Sequence, residues 1–430
     1  MGRALLLLVS GLVIIFGLIE KSILDRQRVI PEVAVDYHSQ QQARSIGTGL
    51  AEFAIAEIEA NQSWSPPDTF ANFMNGAADV TLYEENDFLN YPDSLPEDNS
   101  VPSWDEYTML IFVESYYGNV KSEVEVLLRK DSFSKYIYFT NTEPSNIYFF
   151  SDDVLNGPVH TNGTFNIAGD PQFNGRVTSP NEWSGHPHYE NDPQFLGGFD
   201  FNAEPSLPPT SYELQYLRDA ANSGGLSFNE PIDIEFKNDG TADIKRWNGS
   251  GWGEPSNYDL SGYNGLISSS ADVQVKGTVK GQYTIHSESN IEIMGDIRYA
   301  TNPQTDSTSN DILGMVSEGN VMVDQNAHLN EGTQDIDIHA SIMALDRSFS
   351  VENWESGDPR GTINLLGGVI QDRRGAVGSF NSNGIASGFS KQYEYDQRLR
   401  EKMVPPYFPR ESVFSKIYWK DKQYKYTNSY

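Results

Sequence analysis

The amino-acid sequence predicts an α+β protein that is mostly β: a long N-terminal helix, then a small sheet, then a right-handed parallel β-helix. Residues 1–60 have a helical pattern, β-prone runs follow them, and from Ser145 brief apolar runs alternate with Gly and Asn. The 23 Tyr, 22 Phe and 36 Gly residues favour short strands and turns. We therefore expect a stem at 1–60, a small α+β region at 61–144 and a β-helix-like body at 145–430.

The stem begins with an apolar run. No residue from Ala4 to Ile19 carries a charge, and Glu20 and Lys21 end the run. As a helix the run spans roughly 24 Å, a little less than the ~30 Å hydrocarbon core of a bilayer. The sequence therefore predicts a helix that can just cross a membrane.

Three interpretations of this run remain open. A secretory signal peptide would be followed by a small-residue cleavage site, and no A-x-A-like pattern stands at the expected place. A plain membrane anchor fits the length and the flanking charges. The third is a stem that lies in the membrane before assembly and then packs against copies of itself. For that stem, the predicted assembly residues are Leu5, Leu8, Val13, Ile15, Phe16 and Ile19.

Beyond the run, Pro31 is expected to kink or interrupt the helix, because proline lacks an amide hydrogen and crowds the preceding turn. Apolar residues then recur at helical spacing from Val33 to Ile58, which predicts a helix that covers a domain core. The alternative is that its upper part also lines a bundle between subunits. Gly47 and Gly49 are expected to weaken it locally.

The region after the helix divides into a loop and a hairpin. Residues 61–102 are polar and rich in proline, which predicts little regular structure. From Tyr107 to Lys130, two β-prone runs meet around Gly118 and Asn119, the pattern of a β-hairpin.

The body holds short strands, each with alternate residues on one face. They include runs that begin at Val273, Tyr283, Ile291, Val321 and Ile336. A coiled stack is favoured because Gly and Asn recur where corners need left-handed backbone, and a β-sandwich is the alternative. Residues 180–265 are expected to be an insertion that contains a short helix and a hairpin.

Charge and cysteine content exclude several functions. The 60 acidic and 30 basic residues give a net charge of -30, which argues against nucleic acid as a partner. The chain has no cysteine, so a disulfide framework, a thiolate metal site and a cysteine nucleophile are impossible.

Candidate chemistry is sparse. His186 and His188, with Glu190 and Asp192 nearby, form the one close histidine pair, but a polar loop is the better interpretation than a metal site. Acidic pairs could hold calcium or cut a polysaccharide, although chance explains them in so acidic a chain. These pairs are Asp152 and Asp153, Asp239 and Asp243, and Asp335 and Asp337. The sequence thus predicts no catalytic, metal or cofactor-binding residues and no enzyme.

Three stretches resemble one group of proteins. The apolar stem with QQARSIGTGLAEFAIAEI resembles type IV pilins and larger pilin-like minor subunits. GPVHTNGTFNIAGDPQFNGRVTS, and YEYDQRLREKMVPPYFP followed by Trp419, resemble an uncharacterised pilin-linked bacterial envelope family with a β-helical body. The resemblance implies a subunit of an extracellular type IV pilus-like filament with an adhesive or contact role. Its partners would be copies of itself, the inner-membrane assembly machinery and a prepilin peptidase; it would lie in the inner membrane first and on the cell surface afterwards.

The chain departs from typical major pilins in one respect. Those proteins carry Glu at the fifth mature position, whereas this chain has Leu5 if Met1 is the mature first residue, and no acid before Glu20. A missing acid is usual in tip-type minor pilins. The alternatives are therefore a minor or tip subunit, or a membrane-anchored periplasmic β-helix that binds or cuts polysaccharide.

Overall fold

The computed structural model of the chain describes residues 2–84, 106–151, 153–381, 384–401 and 403–425. Two compact units divide the chain: Met1–Lys130 with Val413–Tyr430 (unit 1), and Asp131–Ser412 (unit 2). The division expected from the sequence differs, because it gave residues 61–144 a region of their own and left the C-terminal residues in the body.

The described residues contain four α-helices: α1 Gly2–Ala60, α2 Gln215–Gly224, α3 Ala327–Asn330 and α4 Arg398–Glu401. The strands are β1 Phe70–Phe73, β2 Gly76–Tyr83, β3 Thr108–Tyr117, β4 Val120–Arg129, β5 Tyr138–Thr142, β6 Phe149–Phe150, β7 Val154–Leu155, β8 Val159–Thr161, β9 Asn166–Ala168, β10 Gln172–Phe173, β11 Val177–Thr178, β12 Ser184–Gly185, β13 Gln194–Phe195, β14 Phe199–Asp200, β15 Leu226–Phe228, β16 Ile232–Phe236, β17 Thr241–Arg246, β18 Ser256–Asp259, β19 Leu266–Ser269, β20 Val273–Val279, β21 Gln282–Ser287, β22 Ile291–Tyr299, β23 Ile312–Ser317, β24 Val321–Val323, β25 Ile336–Ala344, β26 Phe349–Val351, β27 Pro359–Arg373, β28 Gly378–Asn381, β29 Gly384–Glu394 and β30 Ser415–Lys425.

Unit 1 is a long helix on an antiparallel sheet. The sheet has the order β1-β2-β3-β4-β30, and β3 and β4 form the predicted hairpin. The second half of α1 buries one stripe of side chains at helical spacing against this sheet, which produces the core of the unit. The stripe comprises Ala43, Ile46, Leu50, Ala51, Ala54 and Ile58.

Gly47 lies where α1 approaches the sheet closely. A Cβ atom there would lie 2.9 Å from Ser115 Oγ and 3.0 Å from Val124 Cγ2. The Ser115 hydroxyl donates a hydrogen bond to the Ala43 carbonyl, 2.8 Å away. Gly47 therefore allows this contact, in addition to lowering helix propensity as the sequence suggests.

Three features of unit 1 differ from the sequence-based expectations. The region expected to be loop contains β1 and β2, which pair with each other, and β2 also pairs with β3. The C-terminal β30 pairs with β4 rather than joining the body. The backbone of α1 is helical through residue 31, so Pro31 does not interrupt the helix. The side chain of Pro31 lies outside the described residues, and the kink stays a prediction.

Unit 2 is a coiled stack of parallel strands. Strands two apart in sequence pair in parallel, for example β19 with β21 and β21 with β23, while the strands between them form a second face. This pattern defines a parallel β-helix and excludes an antiparallel β-sandwich. Its right-handedness stays a prediction.

The coils do not follow the order of the sequence. The chain enters the stack at β5, in its middle, and coils outward through β8 and β11 to β14 at one end. The segment from residue 201 to 225, which contains α2, returns to the other end. From β15 the chain coils back until β27 pairs with β5 and β29 with β7. We call this junction the seam.

A single column of buried side chains crosses the seam. Residues paired on successive coils place apolar groups above one another, so the two halves share one core. The column is Ile267, Ile285, Met315, Ile342, Val369, Tyr138, Val159 and Val177.

Residues 180–265 are not one insertion. β13 and β14 form the last coil, and β15 and β16 form the first coil at the opposite end. Only the return segment and β17–β18 lie outside the coils, and β16–β17 is the predicted hairpin. The pattern of short apolar runs is interrupted in this region because the chain passes from one end of the stack to the other.

Hydroxyl side chains form the corner that recurs in successive coils. Each accepts a hydrogen bond from the backbone N–H two residues later, which closes a tight turn. They are Thr161, Ser179, Ser269, Ser287 and Ser317. Left-handed glycines occur as well, but the corners in this series depend on Ser and Thr rather than on the Gly and Asn expected from the sequence.

Candidate functional site

The N-terminal half of α1 is the leading candidate for a functional surface. Leu7–Gln27 is long and apolar enough to cross a membrane, with a mean hydropathy of 2.1, and no part of it is buried in the chain. At about 1.5 Å per residue it spans about 30 Å. Leu12 to Phe16 are consecutive and all exposed, so the apolar surface surrounds the helix. A helix that is apolar all round belongs in lipid or among other helices.

The predicted assembly residues lie on this surface. Leu8, Val13, Ile15, Phe16 and Ile19 are between 48 % and 65 % exposed. Leu8, Ile15 and Ile19 fall within about 40° of one another around the helix axis, since each residue turns the helix by about 100°. The side chain of Leu5 lies outside the described residues. One helix face could thus meet a neighbour along much of the run.

The predicted histidine pair forms an aromatic contact. The His186 and His188 rings are 5.7 Å apart, and His186 also meets Tyr148 at 4.7 Å and Tyr189 at 4.8 Å. His186 Nδ1 accepts a hydrogen bond from the backbone N–H of His188. Three ring contacts and one backbone hydrogen bond thus hold the His186 ring in place.

The predicted acidic pairs have structural partners. Asp153 accepts from Lys391 at 2.9 Å, Asp243 from Asn257 at 2.8 Å, and Asp337 from Arg298 at 2.7 Å. Asp239 caps the turn at Thr241, and Asp335 accepts from the Thr362 backbone. Asp152 lies outside the described residues. Hydrogen bonds from Thr241 to Asp239 and from Asn257 to Asp243 lower the pKa values of these two carboxyls, which keeps them ionised.

A cluster of three acids was not predicted from the sequence. Oxygens of Glu292, Asp324 and Glu352 lie within 4.8 Å of one another on successive coils. Burial, followed by the neighbouring carboxylates, raises the pKa of Glu292. The sequence does place an acidic residue within or directly after each of three short runs, IEI, VMV and FSV. The runs are unequally spaced, so the sequence does not show that these residues stack on successive coils.

A buried Ser–His–carboxylate chain was also missed. Ser268 Oγ lies 2.9 Å from His286 Nδ1, and His286 Nε2 lies 3.1 Å from Glu318 Oε1. Burial raises the pKa of Glu318, but hydrogen bonds from His286 and Ser211 and the charge of Arg218 outweigh it and lower the pKa overall. Ser268 is 5 % exposed and His286 is fully buried, while Arg218 of α2 pairs with Glu318. These contacts fasten α2 to the stack, because Arg218 of α2 pairs with the Glu318 carboxylate that His286 also contacts.

Comparison with known proteins gives limited matches. Residues 115–181 match the family described as Domain of unknown function (DUF4900). This segment contains the stretch GPVHTNGTFNIAGDPQFNGRVTS and runs from the end of β3 to just past β11. No curated protein sequence matches the chain.

One similar solved structure is the competence-associated pilin ComZ from Thermus thermophilus. It shares 13 % sequence identity and has a TM-score of 0.31, with 90 % of this chain and 98 % of that chain covered. A likeness at this TM-score does not define a shared fold.

Proposed function

We propose that the chain is a structural subunit of an extracellular type IV pilus-like filament. It assembles through the N-terminal half of α1 and displays an acidic, β-rich body for surface contact or adhesion. Its partners are copies of itself, the inner-membrane pilus assembly machinery and a prepilin peptidase. It lies in the inner membrane before assembly and on the cell surface afterwards.

The observation that carries the proposal is the division of α1 into two halves. The second half buries one stripe on its own sheet, whereas the first exposes apolar side chains on all sides. Twelve large apolar residues from Leu7 to Leu24 are exposed, and removing them from water is worth on the order of 10 kcal/mol or more. A bilayer supplies that burial before assembly, and a bundle of identical stems supplies it afterwards.

The charge of the chain supports this division of labour. A net charge of -30 makes copies repel one another in water, so association depends on the uncharged stem. The body is proposed as structural rather than enzymatic, because the acidic residues that could suggest hydrolysis pair with Lys, Arg and Asn side chains or cap turns.

A tip subunit is the second candidate. The uncharged run from Ala4 to Ile19 favours it, since a repeating pilin typically carries Glu in this part of the stem. A tip subunit would occupy filament ends, and a repeating subunit would occupy the whole length.

The test of assembly places one charge in the stem. Ile15→Asp puts a carboxylate in an apolar environment without a partner, at roughly 2.5 to 3.5 kcal/mol per subunit. Val413→Asp is the matched control, because Val413 is 58 % exposed and Ile15 is 55 % exposed. We expect Ile15→Asp to abolish filaments in sheared surface material and Val413→Asp to leave them unchanged.

Secretion and folding of the body are measured in parallel. Protease resistance of unit 2 should be the same in both variants, since no residue of that unit is altered. Filaments of normal length and abundance from Ile15→Asp would contradict assembly through the stem.

A further inference from the structure

Unit 2 contains a cavity at the seam. Its volume is about 330 Å³, and it is lined by residues of β27, of the β28–β29 hairpin and of the chain around β6 and β7. This volume lies at the lower end of the range for small-molecule sites and is about twice that of a cavity that binds benzene. At roughly 30 Å³ per water-sized group, it has room for about ten non-hydrogen atoms.

The wall of the cavity is largely aromatic. Its lining includes the rings of Tyr148, Phe150, Phe349, Phe380 and Phe389. Phe150 and Phe380 stack with their centroids 4.3 Å apart, and Phe380 is 39 % exposed. Rings of this kind favour a flat apolar ligand, and the exposed Phe380 places one of them at an opening to solvent.

The charges at the cavity balance. Arg374 lines it and is ion-paired with Glu143 at 3.6 Å, both side chains being at most 3 % exposed. Lys391 and Asp153 line it too and are ion-paired at 2.9 Å. Two cations thus face two acids among the described residues, and a further buried charge would have no counter-charge.

Lys391 has hydrogen-bonding capacity left over. Its ammonium carries three donors, and Asp153 Oδ2 is its one acceptor among the described residues. The side chain of Lys391 is 28 % exposed and borders the cavity. The nearby Gln371 is already engaged in three hydrogen bonds, since its oxygen accepts from the Phe349 and Gly375 backbone N–H groups and its amide donates to the Tyr138 hydroxyl.

We propose that this cavity binds a neutral, ring-bearing apolar compound with one acceptor oxygen, which accepts a hydrogen bond from Lys391 Nζ. The aromatic wall holds the ring, and the balanced ion pairs disfavour an anion. The ligand contacts both halves of the coil, so its binding stabilises the seam.

The test uses three probes of similar size on the full-length chain in nonionic micelles. They are α-tetralone, which has a ring and a carbonyl oxygen, tetralin, which lacks the oxygen, and naphthoate, which carries a charge. Isothermal titration calorimetry, with empty micelles as the blank, should show α-tetralone binding about tenfold tighter than tetralin. Naphthoate should bind at least tenfold more weakly than α-tetralone.

Two variants locate the binding. Lys391→Met combined with Asp153→Asn removes both charges of one pair, and the advantage of α-tetralone over tetralin should disappear while tetralin still binds. Ala376→Phe fills the cavity and should abolish the binding of both. The proposal is overturned if α-tetralone does not bind the wild-type chain, if naphthoate binds as tightly, or if Ala376→Phe leaves binding unchanged.

Discussion

Gly47 and Gly49 lie two residues apart on α1 but face different surroundings. A Cβ at Gly47 would meet Ser115 Oγ at 2.9 Å and Val124 Cγ2 at 3.0 Å, closer than ordinary contacts. A Cβ at Gly49 would meet the Phe73 ring at 3.6 Å, an ordinary van der Waals distance. The pair therefore separates helix propensity from packing on the sheet.

The expected magnitudes follow from these distances. Gly→Ala in a helix interior gains about 1 kcal/mol from propensity at either position. Overpacking against the sheet costs about 1 to 3 kcal/mol and applies to Gly47→Ala alone. Gly49→Ala should therefore stabilise unit 1 by about 1 kcal/mol, and the difference between the two variants should equal the packing cost.

Hydrogen exchange measures this difference locally. Amide protection in peptides from Ala43 to Ile58 reports the opening of α1 from its sheet, with about 1.4 kcal/mol for each tenfold change. Protection in Gly49→Ala should exceed that in Gly47→Ala by about fivefold to a hundredfold, as the packing cost of about 1 to 3 kcal/mol requires. Equal protection in the two variants would refute the claim that the close approach of α1 to Ser115 and Val124 requires glycine at position 47.

Three further predictions concern pH, charge and truncation. Burial lowers the pKa of His339 from 6.5 to about 4, and its Nδ1 accepts a hydrogen bond from the Tyr299 backbone N–H. As the pH falls, the unfolded chain therefore takes up a proton at His339 before the folded chain does. Up to about 3 kcal/mol of stability, fully present above pH 6.5, is lost as the pH falls to 4. His339→Gln should remove this dependence in thermal melts of unit 2 between these pH values. Glu292→Gln should stabilise unit 2 at neutral pH, since burial and the adjacent Asp324 and Glu352 carboxylates raise the pKa of Glu292. A chain that begins at Tyr37 should sediment as a soluble monomer, whereas one that begins at residue 61 should aggregate, because it loses the helix that covers the sheet.

Each of these predictions has a contrary outcome. An unchanged melting profile of His339→Gln below pH 6.5 would mean that His339 is not held neutral by its surroundings. A lower melting temperature for Glu292→Gln would show that the acids attract a shared cation or proton rather than repel one another. Large assemblies of the chain that begins at Tyr37 would place an association surface outside the stem.

The local elements of this fold are predictable from the sequence because their causes are local. The uncharged run and the apolar stripe from Ala43 to Ile58 predict α1, and the turn at Gly118 predicts the hairpin of β3 and β4. Strands such as β20 and β22 follow from alternating apolar residues. Each of these signals lies within a window of a few turns or strands.

The arrangement of the coils depends on contacts far apart in sequence. Residues stacked on adjacent coils are 18 apart at Ser268 and His286 but 30 apart at Asn290 and Asn320, so the sequence shows no fixed period. At the seam, β27 pairs with β5, which lies more than two hundred residues earlier in the sequence. Gln371 of β27 and Tyr138 of β5, for example, are 233 residues apart. No local pattern marks either end of such a pairing.

The candidate sites divide in the same way. Exposure of the stem follows from its composition, and Ile15 and Phe16 could be named from the sequence. The cavity at Lys391 and the cluster around Glu292 could not, because each combines side chains that only the stacking of coils brings together. The pairing of β30 with β4 could not be predicted for the same reason, since the two strands are almost three hundred residues apart in the sequence. Ser122 of β4 and Lys422 of β30, for example, are separated by 300 residues.

Labelling of native surface fibres tests the central claim most directly. Antibodies raised against unit 2 are applied to sheared cell-surface material, and the fibres are viewed by negative-stain electron microscopy. A repeating subunit predicts label at regular intervals along the whole length of each fibre. Label confined to fibre ends would assign the chain to the tip, and label on membrane fragments with no labelled fibre would contradict a role in filaments.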